Sequence, residues 1–361
     1  MAAQFNRRTF LRTGAAGIGG GILLGGGLLA ACGGDDDDDS TSGKDSGSKD
    51  FGTLNFQLSW IKNVEFAGEY IADTKGYYQA AGFSKVNLMA GGPNVQQDSI
   101  VASGQAFVGI SAPDITGPAI LAGAPLIAVG ALYQKNPFAV MSLAENPLET
   151  PEDMIGKKIG VQAVNEPVWA AFLKANSIDP SKITKVPAQF DPTPLADGEV
   201  DGWFSFFTNE PNLLKLQGID TEVMLLADNN YPLVSEIYVV KKDVPSGDRD
   251  KLKALLVADI KGWRDSLKDP AEGAKLAAET YGKDQKLTTE EQTLESKSQN
   301  TVILTEDTKA NGILTVTDEL VDASIESLGL GGVKITADKL FDLSVIEEVY
   351  EENPALKEPV A

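Results

Sequence analysis

The chain has 361 residues and a formal net charge of −21, and 42% of its residues are hydrophobic. So acidic a chain argues against nucleic acid and against an anionic membrane surface as binding partners. The sequence contains no histidine, which excludes Ser-His-Asp catalysis, Cys-His catalysis and histidine-ligated metal sites. It contains one cysteine, so no disulfide can form within the chain.

The first 31 residues are predicted to be a signal peptide. Arg7 and Arg8 precede Thr-Phe-Leu, which is typical of a twin-arginine export signal, and a glycine-rich apolar run follows at 14–31. That run is too short and too rich in glycine for a comfortable membrane span. The sequence Leu-Ala-Ala-Cys at 29–32 resembles a bacterial lipobox, which implies cleavage before Cys32 and a diacylglycerol on its sulfur. The alternative is an ordinary signal peptide with a chance cysteine.

Residues 32–50 are predicted to form a disordered acidic tether. The segment from 33 to 50 contains five consecutive aspartates and no apolar side chain. Such a composition is typical of a solvated spacer, and we expect neither metal binding nor a cofactor there. The protein is therefore expected to be exported and held by lipid on the outer face of the cell membrane or in the periplasm.

From residue 53 onward, short apolar runs alternate with helical patterns. The predicted strands are 53–60, 85–91, 106–112, 125–134, 137–143, 157–163, 183–188, 201–207, 221–227 and 236–242. The predicted helices include 65–82, 95–105, 114–123, 166–178, 192–200 and 210–218, and after residue 245 the pattern is mostly helical. Alternating strands and helices predict an α/β fold with mostly parallel sheets.

The order of these elements predicts two lobes, each a mixed, mostly parallel sheet flanked by helices. Lobe one would comprise 51–141 and 241–361, and lobe two would comprise 142–240. The chain would cross between the lobes twice, in 139–143 and 237–241. A hinge with two crossings suits rigid-body closure around a ligand.

The segment 58–83 resembles the opening of ABC-transporter substrate-binding proteins of the thiamine-pyrimidine-synthase-like family. The resemblance rests there on Trp60, Asn63, Phe66-Ala67-Gly68 and Lys75-Gly76-Tyr77-Tyr78. It continues in Gly-Gly-Pro-Asn-Val (91–95), in 103–114, in 153–161 and in Thr-Asn-Glu-Pro (208–211). The resemblance implies the type II periplasmic-binding-protein fold. It also implies a monomer that captures a small heteroaromatic ligand without enzymatic chemistry and delivers it to an ABC permease and its ATPase.

The candidate ligand contacts of the first lobe lie where predicted strands end. They are Trp60, Asn63, Phe66, Gly91, Gly92 and Asp114. In an α/β sheet, ligands bind outside the carboxyl ends of the strands, so the tryptophan is expected to present a flat face to an aromatic ring. Five of the six also have a plain structural alternative: packing under a loop for the tryptophan, a helix cap for the asparagine and the aspartate, and a tight turn for the two glycines.

Two Asn-Glu-Pro sequences begin helices in the second lobe, with Glu166 and Glu210 as their acids. A glutamate in a first turn stabilises the helix dipole by about 0.3–1 kcal/mol, which accounts for either one. Phe206 and Phe207 precede Glu210, and a carboxylate beside aromatic faces suits a heteroaromatic amine. We therefore expect ligand contacts from Trp169, Phe207, Asn209 and Glu210, and we expect Glu166 to be a helix-start residue near the cleft.

The ligand that the resemblance implies is a thiamine-related pyrimidine such as formylaminopyrimidine. Riboflavin is the nearest rival. Aliphatic sulfonates or nitrate are taken by similar folds, but Glu210 would repel an anion. Pyrimidine synthases of this fold resemble the sequence too. Their iron-dependent chemistry consumes an active-site histidine, and this chain has none.

Overall fold

The structure, a computed structural model, describes residues 49–358. The predicted signal peptide, Cys32 and the tether up to residue 48 lie outside the described residues. Within residues 49–358, none of the helices is both long enough and apolar enough to span a membrane.

Ten strands form two five-stranded sheets within the described residues. In chain order they are β1 (Gly52–Gln57), β2 (Phe83–Met89), β3 (Val108–Ser111), β4 (Leu126–Tyr133), β5 (Phe138–Leu143), β6 (Lys158–Gln162), β7 (Thr184–Ala188), β8 (Gly202–Phe206), β9 (Thr221–Leu225) and β10 (Ser235–Lys241). The first sheet has the order β2-β1-β3-β10-β4, and the second has the order β7-β6-β8-β5-β9.

In each sheet, four strands run in one direction and the fourth strand of the order runs against them. β10 is antiparallel to β3 and β4, and β5 is antiparallel to β8 and β9. β1 pairs in parallel with β2 and β3, and β6 pairs in parallel with β7 and β8. The two mixed, mostly parallel sheets expected from the sequence are confirmed, and the carboxyl ends of the parallel strands meet at one edge of each sheet.

The chain passes between the two sheets in residues 134–137 and 226–234. The crossings expected from the sequence, 139–143 and 237–241, lie inside β5 and β10 instead. The reason is that pairing begins earlier in both strands: Phe138 already pairs with Phe206, and Ser235 pairs with Tyr133.

Helices cover both sheets. They are α1 (Ala67–Thr74), α2 (Tyr77–Ala80), α3 (Gln97–Ala102), α4 (Pro113–Leu121), α5 (Glu166–Ala175), α6 (Thr193–Ala196), α7 (Glu210–Leu216), α8 (Val244–Gly247), α9 (Arg249–Lys268), α10 (Pro270–Leu276), α11 (Thr289–Ile303), α12 (Glu306–Asn311), α13 (Asp318–Leu330), α14 (Ala337–Leu340) and α15 (Ser344–Glu352). The single helix expected at 65–82 is divided into a 3-10 turn (Val64–Phe66), α1 and α2. The break between α1 and α2 lies at Gly76, whose φ of +75° suits glycine.

The long helix α9 packs directly on α1, and two glycines allow the close approach. The space above Gly68 is filled by the ring of Trp263, and a Cβ at Gly262 would overlap the carbonyl oxygen of Gly68. The indole of Trp263 is fully buried and donates to Oε1 of Glu69 (3.3 Å), which also accepts from the hydroxyl of Tyr238 in β10 (2.6 Å). α9 is thereby tied through α1 to the first sheet.

Candidate ligand-binding site

A cavity with about 490 Å³ of empty volume lies where the two sheets face each other. Residues of the first sheet and its connections supply one wall: Ser59, Trp60, Glu65, Gln97, Ser111, Ala112, Ile115 and Glu236. Residues of the second sheet and its connections supply the other wall: Phe138, Val164, Asn165, Ser205, Phe206, Asn209 and Glu210. The carboxyl ends of β1, β3 and β8 contribute to it, as expected for a ligand site in this class of fold.

Glu210 enters the cavity at the start of α7. Pro211 suits the first turn of this helix, and the acid favours its dipole. The side chain is only 4% exposed, and its Oε2 accepts a hydrogen bond from the backbone nitrogen of Phe206 (3.0 Å). Burial raises the pKa of Glu210 to about 8, and the neighbouring Glu65 and Glu291 add to the rise. The carboxyl can therefore act as donor or acceptor near neutral pH.

Two more buried carboxyls face the cavity, joined by one hydroxyl. Ser59 Oγ lies 2.9 Å from Oε1 of Glu65 and 3.2 Å from Oε2 of Glu236. Burial raises the pKa of both glutamates, and their mutual proximity adds to the rise in Glu236. Glu236 also has a φ of +47° inside a strand, a left-handed conformation that costs about 1–3 kcal/mol in a residue other than glycine.

The charged residues that line the cavity are all acidic. Three glutamates line it, and none of its described lining residues is lysine or arginine. Three further buried polar atoms in its wall, Gln97 Oε1, Ser111 Oγ and Ser205 Oγ, have no hydrogen-bond partner. The cavity therefore offers acceptors and neutral hydroxyls, and it has no fixed positive charge that would hold an anion.

Aromatic side chains supply the apolar surface. Trp60 lies three residues beyond the end of β1, in the following loop, and is half-buried. The sequence placed it at the last position of the strand, but pairing of β1 stops at Gln57. On the opposite wall, the ring of Phe206 meets that of Phe138 edge to face, with 4.5 Å between their centroids. A flat ring can thus be held between apolar faces and carboxyl edges.

A larger outer groove, with about 1360 Å³ of empty volume, adjoins the cavity. Trp60 and Asn209 line both spaces, so the two are adjacent. Phe190 and Leu216 are among the residues of the outer groove, and they are 40% and 41% exposed. A ligand longer than a single ring has room to extend in this direction.

Three of the ten ligand contacts expected from the sequence line the cavity: Trp60, Asn209 and Glu210. Asn63 instead caps the 3-10 turn at Val64–Phe66 and donates to Glu295 (2.9 Å), although it also borders the outer groove. Phe66 is buried in the core of the first sheet.

Gly91 and Gly92 turn the chain after β2. The nitrogen of Gly91 donates to the carbonyl of Trp60 (2.8 Å), and a Cβ at Gly91 would lie 2.5 Å from the carbonyl oxygen of Leu58. Gly92 has a φ of +147°. These glycines hold the loop that carries Trp60 and do not themselves line the cavity.

Asp114 lies in the first turn of α4 and points away from the cavity, which its neighbours Ala112 and Ile115 line. It is 1% exposed. Burial raises its pKa to about 7, and the hydroxyl of Tyr231 partly offsets that rise.

Trp169 and Phe207 also lie outside the cavity. Trp169 is 3% exposed and packs edge to face on Phe204 in the core of the second sheet. Phe207 is half-buried against the hydrophobic core of the first sheet. Glu166 forms an ion pair with Lys185 at the surface, which agrees with the expected helix-start position.

Sequence reasoning missed Ser59, Glu65 and Glu236. A signal was present for the two acids, because each interrupts an apolar run: Val-Glu-Phe at 64–66 and Ser-Glu-Ile-Tyr-Val-Val at 235–240. The two acids are 171 positions apart in the sequence (236 − 65), and only the insertion of β10 between β3 and β4 brings them together.

Comparison with known proteins identifies the family to which the chain is similar and the fold that it shares. The sequence profile described as NMT1/THI5 like matches residues 63–273. The periplasmic aliphatic sulphonate-binding protein SsuA of Escherichia coli superimposes with a TM-score of 0.61 at 16% identity, over 81% of this chain and 91% of its own. This likeness shows the two-lobe fold of periplasmic binding proteins.

Three curated relatives are similar in sequence. The riboflavin-binding protein RibY of Chloroflexus aurantiacus is 28% identical over 62% of this chain. The match spans 65% of that relative, slightly less than two thirds of its length. A formylaminopyrimidine-binding protein of Halalkalibacterium halodurans is 24% identical over 62% of this chain and 69% of its own. A 4-amino-5-hydroxymethyl-2-methylpyrimidine phosphate synthase of Schizosaccharomyces pombe is 22% identical over 62% of this chain and 68% of its own.

Proposed function

The chain belongs to the NMT1/THI5-like family, and we propose that it is the substrate-binding protein of an ABC importer that captures a small heteroaromatic amine. The observation that carries this proposal is the cavity that combines Trp60 and Phe206 with three buried glutamates. Aromatic rings stack on the apolar faces, and carboxyls accept hydrogen bonds from ring or exocyclic N–H groups.

The ligand that we favour is a thiamine-related pyrimidine such as formylaminopyrimidine. Glu210 would accept from the exocyclic amine, Asn209 would hold a polar ring edge, and Trp60 would stack on the ring. One of the relatives is a formylaminopyrimidine-binding protein, which supports this choice.

Riboflavin is the second candidate. The riboflavin-binding relative has the higher identity, 28% against 24%. The outer groove also supports riboflavin. It adjoins the cavity at Trp60 and Asn209, and a three-ring ligand would extend toward it.

Sulfonate and nitrate are disfavoured by the same charges. An anion in the cavity would face three carboxyls, and no described lysine or arginine of the lining would balance it. An enzymatic function is disfavoured too, although one relative is a synthase, because the chain has no histidine for the iron-dependent chemistry.

Capture would proceed by closure of the two lobes expected from the sequence, 51–141 with 241–361 and 142–240. Their boundaries move to the connections at 134–137 and 226–234, so that β5 belongs to lobe two and β10 to lobe one. The ligand would contact both walls and so stabilise the closed form. The protein would be a monomer exported by the twin-arginine route, anchored through lipid on Cys32, and would pass its ligand to an ABC permease and ATPase without a cofactor of its own.

The test is calorimetry on the exported chain with 4-aminopyrimidine, formylaminopyrimidine, riboflavin, methanesulfonate and nitrate. We expect one of the heteroaromatic compounds to bind and both anions to fail. A bound ligand at 100 times its Kd should also raise the free energy of unfolding by about 2.7 kcal/mol. Binding of an anion alone, with no heteroaromatic bound at millimolar concentration, would overturn the proposal.

A further inference from the structure

The hydrogen bonds around Ser59 are best satisfied when one of two glutamates carries a proton. A serine hydroxyl has one hydrogen, so it donates to one acceptor and accepts from another. Its oxygen is within hydrogen-bond distance of both Glu65 (2.9 Å) and Glu236 (3.2 Å). If both carboxyls were ionised, the single hydrogen could satisfy only one of them. The arrangement is complete when Ser59 donates to one carboxylate and accepts from the protonated other.

The three residues come from separate parts of the first lobe. Ser59 lies in the loop after β1, Glu65 in the 3-10 turn before α1, and Glu236 at the start of β10. All three line the same cavity as Glu210, which comes from the second sheet. The left-handed backbone of Glu236 is an independent sign that this side chain is held in place at a cost.

Unpartnered polar atoms point to an occupant of the cavity. Ser205 and Gln97 are each 2% exposed, and Oγ of the first and Oε1 of the second have no hydrogen-bond partner. Buried polar atoms are nearly always paired in native proteins. Here the missing partner is supplied when a polar molecule enters the cavity.

The charged and titratable groups packed around the pair are all acidic or neutral. Glu69 of α1 faces both carboxyls, and Tyr133 of β4 lies close enough to be influenced by both. The negative charge of Glu65 adds to the rise in the pKa of Glu295 in α11 and of Glu210 in α7. Burial raises the pKa of Glu65 and Glu236, and no cation appears among the groups that act on either.

We propose that Ser59, Glu65 and Glu236 form a second recognition element of the cavity, which binds a positively charged amidinium-type edge of the ligand and releases a proton as it does so. The ligand N–H groups donate to the two carboxylates, and the proton that the pair held passes to water. This inference rests on the proposed function, and it narrows the ligand class to heteroaromatics with N–H donors at two edges, one for Glu210 and one for this pair.

Benzamidine and benzamide are matched probes for this element. They have the same shape, but benzamidine is a cation at neutral pH and benzamide is neutral. Titration calorimetry at pH 7 in two buffers of different ionisation enthalpy counts the protons released. We expect benzamidine to bind at least 10-fold more tightly than benzamide and to release about one proton. We expect Glu210→Gln to keep that release, because the proton comes from the Glu65–Glu236 pair.

The variants Glu65→Gln and Glu236→Gln should abolish proton release and weaken benzamidine binding at least 10-fold. Glu166→Gln, at the surface, is the matched control and should change neither quantity. If Glu65→Gln or Glu236→Gln prevents folding, Glu210→Gln decides the question, because proton release that persists in this variant comes from the pair, and its loss would assign the proton to Glu210.

Two results would overturn this inference while leaving the proposed function standing. One is binding of 4-aminopyrimidine or riboflavin with no preference for benzamidine over benzamide. The other is unchanged benzamidine affinity and proton release in Glu65→Gln and Glu236→Gln. Failure of 4-aminopyrimidine, formylaminopyrimidine and riboflavin all to bind the wild-type chain would overturn the proposed function, and the inference with it.

Discussion

Oε2 of Glu210 accepts a hydrogen bond from the backbone nitrogen of Phe206 at 3.0 Å. The first residue of α7 thus reaches back to the last residue of β8 and fixes the turn between them. One carboxyl oxygen has this structural partner, and the side chain is also part of the cavity wall. The helix-start and ligand-contact interpretations of Glu210 are therefore compatible, because each oxygen can serve one of them.

Glu210→Gln should separate these two interpretations. The amide oxygen of glutamine can still accept from Phe206, so the free energy of unfolding should change by less than about 1 kcal/mol. With the amide oxygen held by Phe206, the ligand amine loses its acceptor; a buried donor left unsatisfied costs about 1–3 kcal/mol, so 4-aminopyrimidine should bind roughly 10- to 100-fold more weakly. Calorimetry checks the affinity, and Glu166→Gln is the control. Equal affinities in the wild-type protein and Glu210→Gln would leave only the helix-start interpretation.

Trp60→Ala should weaken a heteroaromatic ligand by about 10-fold or more, because stacking on an aromatic face contributes about 1–3 kcal/mol. Trp60→Phe retains an aromatic face and should lose less. Trp169→Phe changes a side chain in the core of the second sheet and should leave the affinity unchanged. Fluorescence titration of the three variants measures the affinities. A loss of affinity in Trp169→Phe equal to that in Trp60→Ala would contradict this assignment.

Stability should decrease as the pH rises above about 4. Burial raises the pKa of Asp114 to about 7 in the folded chain, against about 3.9 in an unfolded one. Such a carboxyl binds its proton more tightly when folded. Its contribution is therefore complete below about pH 4 and is lost as the pH rises to about 7, at up to about 1.4 kcal/mol per pH unit. Glu210, with a pKa of about 8, extends the same trend to higher pH.

Asp114→Asn should flatten that pH dependence, because the amide does not titrate. Urea unfolding at pH 5, 6, 7 and 8 measures it. Asp197→Asn, at an exposed position after α6, is the control and should keep the wild-type slope. A wild-type slope in Asp114→Asn would show that this carboxyl is already ionised at pH 5.

Gly262→Ala should destabilise the packing of α9 on α1. The added methyl group would overlap the carbonyl oxygen of Gly68, and overpacking of this kind costs about 1–3 kcal/mol. Gly329→Ala is the matched change, because Gly329 lies in α13 with no atom within 4 Å of the added methyl group. There, helix propensity should stabilise the protein by up to about 1 kcal/mol. Thermal unfolding of both variants is the measurement, and equal effects would contradict the tight contact.

Cys32→Ser should release the protein from the membrane. The anchor is expected to be lipid on the sulfur of Cys32, and serine cannot be modified in that way. Fractionation of cells that express each form should find the wild-type chain with membranes and the variant in the soluble exported fraction. A variant that remains with the membrane fraction would exclude the lipid as the anchor.

Much of the fold could be predicted from sequence periodicity. All ten strands were expected, because each is a short apolar run between turn residues. Their ends were less well predicted. β1 stops at Gln57, so Trp60 lies in a loop, and Gly76 interrupts what seemed one helix at 65–82. Strand ends depend on pairing partners, and these lie far apart in the sequence.

The candidate site, too, could be predicted from the sequence only in part. Trp60, Asn209 and Glu210 could be found because aromatic, amide and acidic residues follow strand ends directly in the sequence. Trp169 and Asp114 occupy similar positions but are buried away from the cavity, Trp169 against Phe204 and Asp114 beside the hydroxyl of Tyr231. Neighbouring sequence positions cannot distinguish the two faces of a short helix.

The sequence by itself determined the alternation of strands and helices and the absence of histidine chemistry, and it predicted the export signal. All three depend on local pattern and composition. Tertiary structure alone decided the chemistry of the cavity. Glu65 and Glu236 meet at Ser59 only because β10 returns from the second sheet to lie between β3 and β4. Their electrostatics follow from burial, which raises the pKa of both carboxyls and which no local pattern specifies.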